Sequence, residues 1–374
     1  MAGVARRIDR GHGTAYAVAL FVAIRLLGVL VLGVVLRFRD AGSLHHTLTR
    51  YDGQWYARIA EHGYGTTIAA HDGLHSDYAF FPLLPLLERA LHTVLPLSYA
   101  DLGVAVNWVA ALVAAAGVYA ATARVVDHRT AIITLVLWAI YPYALVLSMS
   151  YTEGLLCALA AWALWAVADR RWLLAGVLAA LAGLTRPTGA AVVAAVCVAA
   201  LITGLQGRAS WRRLVPAIVI APLGLIGYLA YVAVRRHELM GYFHATEGWA
   251  RSWDNGAYFA DFVRDLVTGG GLETVKGIGL VVLLLGMVWL IWQGARDGLP
   301  LGYTIFGVVL LLMTIGTSGY FGSRPRYLLP MFTVLVPLAA RLARLRPAVR
   351  VPVAVLLAVG MAVVGGYALT TGAP

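Results

Sequence analysis

Asp52 is the residue in this chain best placed to do chemistry. It stands near the head of the run Arg50-Tyr51-Asp52-Gly53-Gln54-Trp55-Tyr56-Ala57-Arg58-Ile59-Ala60-Glu61-His62-Gly63-Tyr64, in which Trp55, Ile59 and the tyrosines recur at helical spacing. A carboxylate at the start of an interfacial helix can accept a proton from a hydroxyl group while a lipid-borne molecule lies alongside. The plainer reading is a helix N-cap, for which Asp is a preferred residue. His45, His46, His62, His71, His75 and His92 fall in or beside the same stretch. His71 and His75 have the spacing that puts two imidazoles on one helical face as metal ligands. Gly73 lies between them and no third ligand is set by spacing, so no metal is expected. Phe80-Phe81-Pro82 and the pair Trp249 and Trp253 read as interfacial anchors, or as a lipid-chain groove or a surface for sugar stacking. Glu153 follows the base-free turn Ser148-Met149-Ser150, where an acid favours the first turn of a helix. Arg25 sits midway along an apolar run and needs a partner there, which points to a structural pairing.

Membrane helices must position these groups. The 374 residues are 61% hydrophobic and 13% charged, with a mean hydropathy of +0.79, against about 45–50% and about 25% in soluble domains. No soluble interior hides that surplus, so the chain reads as an all-α polytopic membrane protein. Apolar runs long enough to cross a bilayer begin near Ala15, Leu102, Thr130, Thr152, Trp172, Thr188, Leu214, Gly277, Leu299, Tyr327 and Val351. That predicts about eleven transmembrane helices in one unit, 1–374. Residues 172–204 form either two helices or one broken at Arg186-Pro187. Polar stretches at 37–99 and 235–276 read as folded loops. The first contains an interfacial helix pair and returns to the membrane through Tyr78-Ala79-Phe80-Phe81-Pro82. Cys157 and Cys197 lie in apolar runs, which gives no disulfide framework and no cysteine metal site.

The net charge of +11 sets an orientation. With the N-terminus cytoplasmic, the inner segments hold 15 basic and 4 acidic residues, and the outer ones 13 basic and 14 acidic. The short inner loops Asp169-Arg170-Arg171 and Arg208 to Arg213 obey the positive-inside rule. Both long loops then lie outside. The basic excess is a topology signal, which excludes a nucleic-acid partner, and no protein partner is inferable.

Five motifs in order bear a resemblance to a known family. They are Tyr51-Asp52-x-x-Trp55-Tyr56…Ile59-Ala60-x-x-Gly63-Tyr64 with Phe80-Phe81-Pro82-Leu83-x-Pro85-Leu86; Tyr141-Pro142…Ser148-x-x-Tyr151-x-Glu153; Leu181-Ala182-Gly183-Leu184-Thr185-Arg186-Pro187-x-Gly189; Trp249-x-Arg251-x-Trp253; and Ser323-Arg324-x-Arg326-Tyr327-Leu328-Leu329-Pro330. Across residues 50–330 the chain resembles the PIG-V mannosyltransferase family, and Trp55, where eukaryotic members often carry His, points to a bacterial-type member. The resemblance implies a GT-C-like fold and a multi-pass plasma-membrane enzyme. Such an enzyme moves mannose with inversion from polyprenyl-phosphate-mannose, its donor substrate, to a glycolipid or glycan acceptor on the extracytoplasmic side, without a further cofactor. Asp52 matches the family's first-loop base. A leaving phosphate needs cations, and Arg186, Arg251, Arg324 and Arg326 are the outer-facing candidates, with interfacial snorkelling as the plainer reading. Arg324 and Arg326 flank Pro325 where the helix from Tyr327 is expected to present its N-terminus to an anion. Tyr51, Gln54, Trp55, Tyr56, Tyr64, Phe81, Glu153, Trp249, Trp253 and Tyr327 complete the expected substrate site. A lipid-linked-sugar flippase or transporter would share the hydropathy, but transporters carry internal repeats and midplane sites. The polar groups here sit in the long loops and no repeat is detectable.

Overall fold

The computed structural model describes residues 2–70, 73–249 and 251–372, and of residues 2–12 and 70 the backbone alone. Its helices are α1 (Ala2–Arg39), α2 (Leu44–Thr49), α3 (Asp52–His62), α4 (Leu83–His92), α5 (Tyr99–Val125), α6 (His128–Ala139), α7 (Glu153–Ala168), α8 (Trp172–Gly183), α9 (Ala190–Leu205), α10 (Trp211–Ile220), α11 (Leu223–Arg236), α12 (Gly241–Glu247), α13 (Ala257–Thr268), α14 (Gly271–Arg296), α15 (Leu301–Ile315), α16 (Arg324–Tyr327), α17 (Leu335–Leu342) and α18 (Pro347–Thr371). One antiparallel hairpin, β1 (Thr67–Ala70) with β2 (Gly73–Ser76), lies between α3 and α4.

The protein is an all-α polytopic membrane protein. Ten of the eleven apolar runs are helical from near their expected starts, the exception being the run from Tyr327, and length and composition alone do not give eleven crossings. Among the described residues six helices are long and apolar enough to span: Gly13–Arg39, Tyr99–Val125, Pro187–Leu205, Trp211–Arg236, Gly271–Arg296 and Pro347–Thr371. The pair His128–Ala139 and Pro142–Ser148 passes the same test together and is bent by 83° where Pro142 starts a new turn, the geometry of a broken span or a re-entrant loop. Glu153–Ala168, Trp172–Gly183, Leu301–Ile315 and Phe332–Leu342 are apolar but shorter. Residues 172–204 are two helices, α8 and α9, packed on each other and parted by the turn at Pro187–Gly189.

The core gathers α1, α5, α6, α7, α8, α9 and α15. The most extensive pairing is α5 on α7, with Ala110, Ala111, Ala114 and Ala115 buried on the one and Ala158, Ala160 and Ala161 on the other. Small residues let helix backbones approach closely where no water drives association. Asn107 of α5 is buried in this seam. Its Nδ2 donates to the carbonyls of Val146 (2.9 Å) and Met149 (2.8 Å), and its Oδ1 accepts from Gly154 N–H (2.8 Å). One amide thus fixes the segment that leads into α7, and with it Glu153.

The second long polar stretch is also tied down. Ser252 N–H donates to Ser318 Oγ (2.8 Å), Ser318 N–H to the Ser252 carbonyl (2.8 Å) and Asp254 N–H to the Gly316 carbonyl (3.1 Å). The segment after α12 is therefore stitched to the segment between α15 and α16.

Candidate active site

Asp52 is the first residue of α3, whose N-cap is Tyr51, and no side chain caps that helix end. The capping role is thus not the one Asp52 plays. Tyr51 has φ 58° and ψ −122°, an unfavourable conformation outside glycine that costs on the order of 1–3 kcal/mol. Its neighbours hold it there. Arg50 donates to the Leu369 carbonyl and lies 4.6 Å from the Tyr51 ring, and Ser150 N–H donates to the Leu48 carbonyl at 2.8 Å.

The carboxylate meets Arg326, whose Nη1 donates to Asp52 Oδ2 at 2.8 Å. Arg326 Nε lies 3.2 Å from Glu153 Oε1, the oxygen that also accepts from Arg186 Nη1. The side chains of Arg326 and Glu153 are each 1% exposed, that of Arg186 11%, and that of Asp52 22%. Asp52 is therefore the open member of a buried ion cluster. Burial alone would raise its proton affinity. Arg326, Arg251 and Arg186 outweigh that and hold the carboxyl below the usual carboxylate range.

Tyr327 sits among the same cations. The guanidinium groups of Arg186, Arg326 and Arg251 lie 5.2, 5.4 and 5.7 Å from its ring centroid. Burial opposes its ionisation, but Arg251, Arg326 and Arg186 together hold the phenol below its ordinary value. Arg251 is half-buried and pairs with no carboxylate among the described residues. Two carboxylates, Asp52 and Glu153, face three guanidinium groups, Arg186, Arg251 and Arg326, so the cluster carries one surplus positive charge.

Arg324 lies apart from this cluster. It donates to the carbonyls of Thr314 (2.9 Å), Ile315 (3.3 Å) and Thr317 (2.5 Å), closing the C-terminal end of α15, and sits 5.3–5.6 Å from the rings of Phe259, Tyr258 and Phe321. The expected helix from Tyr327 is also corrected. The four-residue α16 opens at Arg324, with Pro325 in its first turn, and ends at Tyr327, and the next α-helix starts only at Leu335. No helix N-terminus begins at Tyr327 to offer an anion its dipole.

The expected aromatic residues divide into groups. Trp55 stacks on Phe80 (5.5 Å between centroids) and meets Trp249 edge-on (5.1 Å), while His75 of β2 stacks on Trp249 at 4.0 Å. Trp55 is one helical turn beyond Asp52, and Trp249 is two residues before Arg251, so this group lines the flank of the ion cluster. Tyr56 is buried, with its hydroxyl 3.4 Å from Thr152 Oγ1. Phe81 belongs to a cluster with Tyr78, Tyr228 and Tyr242, and Tyr64 joins that cluster to the Trp55 group, donating to the Phe80 carbonyl at 2.8 Å. Gln54 is exposed. Trp253 bridges to Thr317 and donates to Asn255 Oδ1 at 2.7 Å, away from the cluster.

Sequence reasoning missed the structural roles of Tyr151, whose ring lies 5.0 Å from the Arg326 guanidinium, and of Asn107. The signal for Asn107 was present, since it is a carboxamide in an otherwise apolar run. His71 lies outside the described residues, and His75 is on a strand rather than a helix. Among the described residues no three His, Cys, Asp or Glu gather as a metal site.

Residues 99–232 match the model of a family described as dolichyl-phosphate-mannose-protein mannosyltransferase. Among curated proteins none matches the chain. Solved structures share its fold. The crystal structure of ArnT from Cupriavidus metallidurans bound to undecaprenyl phosphate is 21% identical with a TM-score of 0.54, over 93% of this chain and 63% of that one. Its apo state is 19% identical with a TM-score of 0.54, over 90% and 61%. The Archaeoglobus fulgidus oligosaccharyltransferase tethered to an acceptor peptide is 13% identical with a TM-score of 0.53, over 95% and 56%. The chain thus spans less than two thirds of the length of each of these structures. The fold is GT-C-like.

Proposed function

We propose that this GT-C-like membrane protein is an inverting glycosyltransferase of PIG-V type. On this reading it moves mannose from polyprenyl-phosphate-mannose to a hydroxyl of a glycolipid or glycan, at the outer face of the plasma membrane with its N-terminus in the cytoplasm. The observation that carries the reading is the surplus charge of the ion cluster beside Asp52. Three guanidinium groups against two carboxylates leave +1, and the phosphodiester of a lipid-linked sugar brings −1. Arg251, half-buried and without a carboxylate, is the cation free to receive it, with Arg186 behind it. The ArnT structure holds undecaprenyl phosphate, a ligand of the same class, which supports a lipid phosphate here.

The same arithmetic accommodates the chemistry. The acceptor oxygen forms a bond to the anomeric carbon from the face opposite the phosphate. The bond from that carbon to the phosphate oxygen breaks, and its electron pair leaves with the phosphate. The hydroxyl proton passes to Asp52. The lipid phosphate goes from −1 towards −2 while Asp52 goes from −1 to 0, so the site stays neutral before and after transfer. A low-dielectric setting penalises any net change of charge, which makes this compensation valuable. The step uses side chains alone and no further cofactor. Trp55 and Trp249 flank Asp52 and offer stacking surface for the acceptor.

The test is incubation of purified protein in nanodiscs with polyprenyl-phosphate-mannose and with glycolipid and glycan acceptors, read by mass spectrometry. A new glycosidic product supports the reading. Donor that crosses the bilayer with no glycoside formed would assign the protein to flippases and sink it.

A further inference from the structure

Glu88 of α4 has no place in the step above, yet it is 0% exposed, and among the described residues no cation pairs with its carboxyl. Its side chain and the Ser150 hydroxyl converge over Gly103 of α5, where an added Cβ would overlap Glu88 Oε1 and Ser150 Oγ together. Ser150 in turn lies under the first turn of α3. A Cβ on Gly53 would come within 2.9 Å of Ser150 Cβ and 3.0 Å of the Ser150 carbonyl oxygen. Ser150 therefore stands between Glu88 on one side and the backbone next to Asp52 on the other, three residues before Glu153.

The charged groups on the packed elements are turned elsewhere. Asp52 faces Arg326, Glu153 faces Arg186 and Arg326, Arg89 donates to the Ala60 carbonyl at 2.7 Å, and Asp101 is held by Ser98 and His45. Arg58, Glu61, His62 and His92 are exposed. An ionised carboxylate in such a place would be buried without compensation, at a cost that groups escape by taking a proton.

Both Glu88 carboxyl oxygens and the Ser150 hydroxyl are buried and make no hydrogen bond among the described residues. We propose that Glu88 is a neutral carboxylic acid that positions the candidate site: turned by a small rotation, its O–H donates to Ser150 Oγ and holds residues 148–153, with Glu153, against the start of α3 and Asp52. Burial raises its titration to about 9, against which the contact with Ser150 works only in part. The proton is therefore retained at neutral pH and lost in alkali, where a charge would appear behind both site carboxylates. This role rests on the function proposed above only in naming what is positioned.

The experiment compares full-length wild type with Glu88→Gln and Glu88→Leu in nanodiscs. At neutral pH the wild-type infrared spectrum should contain the carbonyl stretch of a protonated carboxylic acid that Glu88→Gln lacks. The folded state holds this proton more tightly than the unfolded chain. Wild type should therefore lose thermal stability relative to Glu88→Gln as pH rises from about 5 to about 9. Binding of undecaprenyl phosphate should be weakened in Glu88→Leu and rescued in Glu88→Gln, whose amide still donates to Ser150. A wild-type spectrum with no such band, or parallel melting curves for wild type and Glu88→Gln across that pH range, would overturn the proposal. So would a folded Glu88→Leu that binds undecaprenyl phosphate like wild type. The spectrum and the melting curves do not depend on transfer, so failure of Glu88 is distinguishable from failure of the proposed reaction.

Discussion

Asp52 and Arg326 lie 274 residues apart in the chain and 2.8 Å apart in space. This pairing sets what single substitutions should do. Asp52→Asn keeps the shape and leaves Arg326 its contact with Glu153, but removes the basicity. Transfer should fall by about 10²-fold or more, well beyond what the accompanying loss of the ion pair with buried Arg326, read as a lower melting temperature of the same preparation, accounts for. The pH profile has a definite sign. A carboxyl held below its ordinary value contributes stability that is present above the unfolded value of about 3.9 and lost as pH falls through the folded one. No acid limb of kcat/KM traceable to Asp52 should therefore appear above about pH 4, and a limb near pH 6 that vanishes in Asp52→Asn would contradict this. Arg251 and Arg324 should separate. Arg251→Ala should weaken binding of undecaprenyl phosphate with little loss of stability. Arg324→Ala should cost roughly 1–3 kcal/mol of stability by leaving the end of α15 without its donors, and affect binding only secondarily. The motif resemblance, rather than residue types alone, singled out Asp52 and the four arginines Arg186, Arg251, Arg324 and Arg326, with Arg324 and Arg326 as the favoured pair. What it could not supply is direction. Arg324 and Arg326 are two apart on one short helical turn and so point to different sides, one to carbonyls and one to carboxylates.

At the scale of elements, hydropathy located every apolar helix but not its length. Short helices such as α8 and α15 are lined by other protein segments, so they need not reach across a bilayer by themselves. The boundary at Tyr327 was misjudged because the apolar run continues through Leu328-Leu329-Pro330 while Pro325 and Pro330 confine the helical turn between them. The hairpin at Thr67–Ala70 and Gly73–Ser76 falls within the stretch that reads as a folded loop, because four-residue strands carry too little alternation to register. The junction of α3 with the segment before α7 yields its own prediction. Gly53→Ala gains up to about 1 kcal/mol in helix propensity. The new methyl would, however, stand 2.9 Å from Ser150 Cβ and 3.0 Å from its carbonyl oxygen, a backbone neighbour that does not yield cheaply. Overpacking costs roughly 1–3 kcal/mol, so the net effect should be a lower melting temperature and reduced transfer. A more stable, fully active variant would show that α3 does not abut Ser150.

For the whole molecule, the charge distribution was legible because it depends on counting residues rather than on packing. The proposed orientation predicts that an impermeant thiol reagent labels Asp261→Cys, an exposed position on α13, in intact cells. Ser210→Cys, exposed between α9 and α10, should react only after the membrane is opened. The reverse pattern would place the ion cluster on the cytoplasmic side.

The separation of Asp52 from Arg326 also sets a schedule. At about 5–20 residues per second of synthesis, roughly 15–55 s pass between the emergence of the acid and that of its counter-ion, and Glu153 waits for the same arginine. Throughout that interval the growing protein holds its two site carboxylates without the partner that binds them together. A nascent chain arrested before residue 324 therefore has most of its helices but no assembled charge cluster, and such chains should be cleared by membrane quality control faster than those arrested just past residue 330. Arg326 is the last member of the cluster to leave the ribosome, so the cluster is complete only once the segment around residue 330 has emerged.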